Sequence, residues 1–509
     1  MNTGKKEFVI PAEDSLMKKE RSMTVPFESG EEFVLPDYMP KVQKVLRVEA
    51  RALPPTRYMG ASSAQMSGSV LHTLIYVGEE GEISATVLPS KYEFAVDLDE
   101  DGGVTDVFAD VTVESLIYRM SGPRSINIRT KLSAAASVMC EEYIDVTEDT
   151  GDGVHKLYGD MDFVESRIFC SEEIVISENI DIGHSEEKLL WCGSSAAVSD
   201  VRVTDGGVKV RGEAVLKLLT EYGGKPRMYT KKIPFDEFAD GDVSNGASAV
   251  AMAKIVSTEA SKGQGNCVNA EIVLVVQVIS DTPCKLSVVK DIFSESCKCD
   301  IAYRTVSAKK HILSRSGVYN VGASIPKITI SETDFDVIDT SGEIHIDNVT
   351  FQSGKITVNG RCKMNSIYSK GEGEFSFGEY SLPINISIPC DIKEGVNSLV
   401  SASLLNSRVR SEGNNLVCDL DVAVAIRCFE ESEEKVVSDV SFSKEPFDKM
   451  NKYPLCVVFA SGESIWSVAK KYHVSPSSLV GVNSIDIAEK DFANVDAIKS
   501  VKVLMIENK

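Results

Sequence analysis

One pattern recurs three times in this 509-residue chain and fixes most of what it can fold into. An alternating apolar segment with a glycine near its middle runs into a glycine-rich turn. It then returns as a second extended segment that carries a proline. The outgoing segments are residues 66–76, 208–218 and 356–368, and their glycines, Gly68, Gly212 and Gly360, lie 144 and 148 residues apart. The turns are Gly78-Glu79-Glu80-Gly81, Gly223-Gly224-Lys225-Pro226 and Lys370-Gly371-Glu372-Gly373, and the returning segments contain Pro89, Pro234 and Pro383. Alternation, turn cluster and renewed alternation are the signature of a hairpin. A second apolar segment recurs with the same spacing, at residues 126–134, 268–276 and 416–424. Leu132 and Leu274 are 142 residues apart, and Leu274 and Val422 are 148 apart. Two independent anchors with one period, about 145 residues, indicate an old tandem duplication.

Strands of this kind with frequent turns predict β-sandwich units. Helical periodicity is nearly absent before residue 460, so the crossover helices of a parallel α/β sheet are missing. The expected fold is mainly β: tandem β-sandwich-like repeats followed by a small βααβ domain. The expected divisions are an N-terminal segment 1–30, repeats at 31–165, 166–305 and 306–450, and a terminal domain at 453–509.

Composition restricts the partners. Lys and Arg number 54 and Asp and Glu 76, a formal charge of −22. Such a chain repels phosphate backbones and anionic membrane surfaces, and no dense Lys/Arg run offsets this, so no nucleic-acid partner is expected. No stretch has the 18 or so apolar residues needed to span a bilayer, so direct membrane insertion is not expected. The first residues lack an apolar signal core, and the 12 cysteines are scattered, most of them in apolar runs. Both features point to a cytoplasmic, reduced chain with cysteines in its core.

From residue 453 the pattern changes. Residues 455–459 read as a short strand. Ser461-Gly462-Glu463-Ser464 reads as a capped turn, and Ile465, Val468, Ala469 and Tyr472 follow on one helical face. Ser475-Pro476 opens a second helix that Gly481 and Asn483 end, and residues 501–506 read as a closing strand. Six acids and six bases between 453 and 509 leave this region neutral, so the repeats carry the whole excess charge.

The run Gly462-Glu463-Ser464-Ile465-Trp466-Ser467-Val468-Ala469-Lys470-Lys471-Tyr472-His473-Val474-Ser475, with Leu479 and Asn483, resembles a LysM domain. It departs from that family at Val457, where a tyrosine is usual, at Glu463, where an aspartate is usual, and in the long tract 485–500. The resemblance implies a βααβ module with a binding groove formed by Gly462, Glu463, Ser464, Ile465, Trp466, Asn483, Ser484 and Ile485, for an N-acetylglucosamine glycan or a protein partner. Leu35-Pro36-Asp37-Tyr38-Met39-Pro40 with residues 41–51, and Gly122-Pro123-Arg124 with residues 126–132, resemble the SPOCS domain of sporulation proteins. SPOCS repeats followed by a terminal LysM module are similar to SipL-like proteins. That resemblance implies a non-enzymatic spore-coat morphogenesis protein in the mother cell at the forespore surface, with a coat scaffold ATPase as partner. A peptidoglycan-binding envelope protein is the alternative.

Familiar catalytic patterns are missing. There is no Gly-x-x-x-x-Gly-Lys-Ser/Thr loop, no His-Glu-x-x-His and no Gly-x-Ser-x-Gly, and the six histidines show no ligand spacing. Asp97-Leu98-Asp99-Glu100-Asp101-Gly102 imitates the start of a calcium loop, but position 12 is Phe108, so a solvated turn is expected. Cys297-Lys298-Cys299 lacks a second ligand pair and reads as part of a strand. No catalytic residue, metal or cofactor is expected. Trp466 has two readings, packing in the core or contact at a binding rim.

Overall fold

The computed structural model describes residues 16–98, 103–143, 153–184, 187–244, 246–327, 335–352, 354–371, 374–390, 396–446, 455–459, 462–498, 501 and 503–507. The chain is mainly β, built as three successive pairs of antiparallel sheets. Strands β1 (Leu16–Val34), β2 (Val42–Ala52), β3 (Thr56–Met59), β4 (Ser63–Gly78), β5 (Ile83–Asp97), β6 (Gly103–Met120) and β7 (Ser125–Tyr143) form the first pair. The second contains β8 (Val154–Cys170), β9 (Ile174–Asp181), β10 (Lys188–Thr204), β11 (Gly207–Tyr222), β12 (Lys225–Asp240), β13 (Ser248–Lys262) and β14 (Cys267–Ser294). The third contains β15 (Cys297–Pro326), β16 (Asp336–Gln352), β17 (Lys355–Ser369), β18 (Phe375–Pro389), β19 (Asn397–Glu412) and β20 (Asn415–Pro446).

Each pair has one topology. The outer sheets run β1-β7-β6, β8-β14-β13 and β15-β20-β19, placing the last strand between the first and the penultimate. The inner sheets run β2-β4-β5, β10-β11-β12 and β16-β17-β18 and are inserted into the outer ones. The two sheets of a pair share one core. Val210 and Leu216 of the inner sheet meet Leu274 and Val276 of the outer sheet in the second pair, and Ile384 and Ile386 meet Leu420 and Val422 in the third. The sheet pairs start at Leu16, Val154 and Cys297, upstream of the sequence boundaries at 31, 166 and 306. Residues 99–102 of the acidic run lie outside the described residues.

The repeated sequence features acquire a structural reason. Gly68, Gly212 and Gly360 lie in the central strands β4, β11 and β17. A Cβ at Gly68 would stand 2.4 Å from the Tyr92 ring, and one at Gly212 would stand 2.2 Å from the Phe235 ring. At Gly360 it would meet the His345 carbonyl at 2.3 Å. The glycine is therefore a close-approach position, where a neighbouring ring or backbone takes the space of a side chain. Pro89, Pro234 and Pro383 sit in β5, β12 and β18, which each pair on one side only. Proline lacks the N–H a central strand must donate, so an edge is where it is tolerated.

The three inner sheets converge. Leu46, Ile75 and Val77 of the first, Leu219 of the second and Ile367 and Phe375 of the third form one buried cluster. Beside it, Asp339 of β16 accepts from Arg47 of β2 at 2.5 Å and from Lys217 of β11 at 3.0 Å. The outer sheets meet at a second ion cluster. Arg427 of β20 donates to Asp281 of β14 at 2.5 and 2.9 Å, to Ser166 of β8 at 3.0 Å and to Glu20 of β1 at 3.1 Å. Each cluster takes residues from all three pairs, so the repeats form one packed unit.

Beyond the Arg427 cluster the outer sheets continue as two ribbons, β8 with β14 and β15 with β20. Met161, Leu286 and Val288 of one pack on Val306, Ala308 and Val436 of the other. The terminal module sits against the first ribbon. It consists of β21 (Leu455–Phe459), α1 (Ile465–Tyr472), α2 (Pro476–Val482), two short 3-10 turns (Glu489–Asp491 and Asp496–Ile498) and β22 (Val503–Glu507). β21 and β22 pair antiparallel, and the helices lie between them in sequence.

His72 of β4 is fully buried between the two sheets of the first pair. Its Nδ1 lies 3.0 Å from the Leu88 carbonyl and its Nε2 2.9 Å from Thr130 Oγ1. A neutral ring satisfies both contacts by donating to Leu88 and accepting from Thr130. Burial pushes its pKa below the ordinary histidine value of 6.5, although the Leu88 bond opposes this. The unfolded chain then takes up protons first, so stability is lost as pH falls below about 6.5. Urea midpoints measured between pH 7.5 and 5.5 are expected to decline, and H72Q is expected to reduce the slope. His311 and His345, also held low by burial, keep their own share.

Candidate functional site

The terminal module is built from its caps inward. Gly462 has φ +81°, the left-handed region that glycine adopts without strain, and it turns the chain from β21 into the helix. Ser464 caps α1: its Oγ accepts from the Ser467 N–H at 3.1 Å, and its own N–H donates to Ser467 Oγ at 2.9 Å. Serine fills the role that Glu or Gln plays in the usual reciprocal cap. Glu463 accepts from Lys471, in the last turn of the helix, at 3.1 Å. Ile465, Val468 and Ala469 are fully buried, as their helical spacing predicts, with Leu479, Leu504 and Ile506.

Trp466 is 6% exposed and turned away from solvent. Its indole N–H donates to Asp291 Oδ2 at 2.8 Å, and its ring meets Phe293 edge-on at 4.9 Å. Its backbone N–H donates to the Phe492 carbonyl at 2.9 Å. Phe492 lies in the tract that follows α2, and its side chain is buried in the same core. Asn483 joins α2 to β22: its amide donates to Leu479 O at 2.8 Å and Met505 O at 2.7 Å, and its Oδ1 accepts from the Met505 N–H at 2.7 Å. Ser484 has φ +51° and its N–H donates to Gly481 O, while Ile485 is half-buried in the core. The core unites Ile465, Trp466 and Ile485. Gly462, Glu463 and Ser464 form the entrance to α1, whereas Asn483 and Ser484 follow the end of α2.

Asp291 has no signal in the local sequence, because its partner Trp466 is 175 positions away. It also accepts from Lys470 with both oxygens at 2.7 Å. Burial alone would raise its pKa, but the Lys470 and Trp466 hydrogen bonds and the Lys470 charge outweigh that and hold the carboxyl below its ordinary range. The carboxylate thus pins α1 to β14. D291A is expected to weaken this docking by about 1.5–3 kcal/mol, the range for a hydrogen bond to a charged group. The readouts are a red shift in the Trp466 fluorescence and faster amide exchange in α1. An unchanged spectrum would mean that apolar contact with Phe293 holds the module.

The ribbon of this module has two unlike faces. Cys456 and Val458 pair with Ile506 and Leu504 toward the helices. On the other face Val457 pairs with Met505, Phe459 with Val503 and Leu455 with Glu507. Phe459 is 82% exposed, Val457 63% and Leu455 52%. Five large apolar side chains on five-residue strands thus face outward as one surface.

Elsewhere, no group of three or more metal-ligating side chains occurs among the described residues. The Cys362 and Cys428 thiols are pushed up to about 12 by burial, which leaves them protonated and unreactive at neutral pH. Cys297 and Cys299 open β15, with a bulge between them. Among the described residues no helix is long and apolar enough to cross a membrane.

The two SPOCS-like stretches of the first repeat come together in space. The Leu35 N–H donates to Arg124 O at 2.7 Å, and Arg124 Nη1 donates to the Pro36 and Met39 carbonyls at 2.8 and 2.6 Å. Val42 N–H donates to Pro123 O at 2.8 Å, so Gly122-Pro123-Arg124 clamps the turn that enters β2. In the third repeat, residues 335–410 match the family model described as SipL, SPOCS domain. The chain contains a SipL-type SPOCS domain. The match covers β16, β17, β18 and most of β19, the inner sheet and one outer strand. A SPOCS domain of this kind marks a sporulation-related protein. Neither a curated protein nor a solved structure gives a significant match to the chain.

Proposed function

We propose that this SPOCS protein is a non-enzymatic assembly factor that helps build or anchor the spore coat at the forespore surface. Its three sheet pairs are three SPOCS-like repeats forming a rigid body. Residues 453–509 form a LysM-like module that docks to the coat scaffold ATPase. The observation that carries this reading is the outward apolar face of β21 and β22. A patch of this kind on a soluble protein commonly marks an interaction surface. A second copy is a poor occupant, because two bodies of charge −22 repel each other. A protein partner presenting an apolar stripe within a basic rim fits both the face and the field.

The glycan alternative has less support. The Trp466 N–H is taken by Phe492 and the Asn483 amide by Met505, so these groups serve the fold. The test is a V457E/F459E variant with an unchanged circular dichroism spectrum. Retention on the purified scaffold ATPase is expected to fall at least tenfold, about 1.4 kcal/mol or more. The forespore ring of the tagged protein is expected to be lost as well. Undiminished retention would refute the reading, and strong pelleting with sacculi that chitin oligomers reverse would replace it with the glycan one.

A further inference from the structure

The three repeats also surround a cavity of about 640 Å³, away from the terminal module. Its walls come from β2 and β6 of the first repeat, β10 and β13 of the second, and β19 and β20 of the third. Eight alanines and four serines are among the lining residues, and they leave space where larger side chains would close the junction. The volume falls within the roughly 300–1,000 Å³ of small-molecule sites.

Three cations line it, and two are neutralised. Lys254 pairs with Asp110 at 2.6 Å, and Arg57 pairs with Asp106. Arg51 is the exception. Its Nη1 donates to the Ser194 carbonyl of β10 at 2.9 Å, but among the described residues no carboxylate lies within ion-pair distance of it. Glu49, the acid next along the same face of β2, is 3.5 Å from Arg47 instead. Burial pushes the Arg51 guanidinium below its usual value, which means that the site disfavours its charge. Glu49 acts on Arg51 only through longer-range charge, and a half-buried cation without a contacting carboxylate is costly to hold unless a bound anion compensates it.

We propose that this cavity binds a small amphiphilic carboxylate, with its head group on Arg51 and its hydrocarbon body along the alanine- and serine-lined walls. A guanidinium matches a carboxylate through two parallel N–H donors, and Arg51 has donors beyond the one given to Ser194. Because all three repeats line the site, the ligand also stabilises their junction by mass action. Ser403 on β19 is exposed, so the cavity reaches solvent on that side.

The experiment is a calorimetric and thermal-shift titration of the full chain with octanoate, beside 1-octanol as the uncharged isostere. Saturable octanoate binding is expected, with a rise in the melting temperature that 1-octanol does not reproduce. R51Q is expected to weaken binding about tenfold or more, the worth of a charge-assisted pair. S403W, at an exposed position, is expected to block entry while leaving the unliganded melting temperature unchanged. It therefore gives an independent answer if R51Q fails to fold. Absence of saturation up to about 1 mM would overturn the proposal. So would equal binding of octanol, or octanoate binding that neither variant weakens.

Discussion

D339A is expected to destabilise the body by about 3–5 kcal/mol, the usual cost of leaving buried charge without its partner. The Asp339 side chain is 3% exposed and that of Arg47 is 1% exposed. Removing the carboxylate strands Arg47 and Lys217 together at the point where the inner sheets converge. The expected readout is a lower denaturant midpoint accompanied by earlier exchange of amides in β2, β11 and β16. Replacing the whole cluster, as R47M/D339L/K217M, is expected to recover most of the loss, because apolar residues of similar volume need no counter-ion. If the triple variant is instead as unstable as D339A, the ions fix the geometry of the junction. The same carboxylate sets an acid limit. Burial would raise its pKa, but the Arg47 and Lys217 charges and hydrogen bonds prevail and hold it below 3.8. Its contribution is present above the unfolded carboxyl value and is lost as pH falls below about 4. D339A should therefore remove part of the stability loss on acidification below that point.

R427A is expected to have an effect of similar size, about 3–5 kcal/mol, by a different route. It strips the counter-charge from Asp281 and Glu20, whose side chains are 0% and 5% exposed. Arg427 also covers the Phe429 ring at 4.9 Å, so its loss removes packing as well as charge. Lysine cannot reproduce the fork that reaches Asp281, Ser166 and Glu20 at once, so R427K is expected to recover less than half of the loss. Because the cluster joins β1 to β14 and β20, limited proteolysis is expected to release the first repeat sooner. Release of all three repeats at one rate would show that the inner cluster alone holds them together.

Features with a local cause were legible in the sequence. Gly68, Gly212 and Gly360 announced three hairpins because a neighbouring group must occupy the place of a side chain. Pro89, Pro234 and Pro383 marked the returning segment of each hairpin, but their place at sheet edges emerged only from the strand pairing. The strand-helix-helix-strand order after residue 453 followed from a serine cap and a helical apolar stripe. Contacts that close over long distances were not legible. Asp339 finds Arg47 292 positions away and Lys217 122 positions away, and nothing around it in sequence marks it. Trp466 was readable as either core or rim, and the choice depended on Asp291, a residue of the second repeat. The groove residues were proposed from a family pattern, and two of their donors serve this chain's own fold: the Trp466 N–H binds Phe492 O, and the Asn483 amide binds Leu479 O and Met505 O. The outward ribbon face was present in the alternation of Leu455, Val457 and Phe459, but alternation alone does not say which face is covered.

The ribbon that carries the terminal module determines more than its position. From Asp281 at the central ion cluster to Ser294, where His473 meets the strand end, β14 runs 13 residues, about 40 Å at 3.3 Å per residue. The module is fastened there by Asp291 and Phe293, so its reach is not that of a loose tether. Copies gripping a common support through that end would hold their acidic bulk at one standoff height, and a layer grown from them would inherit its thickness from the length of a β-strand.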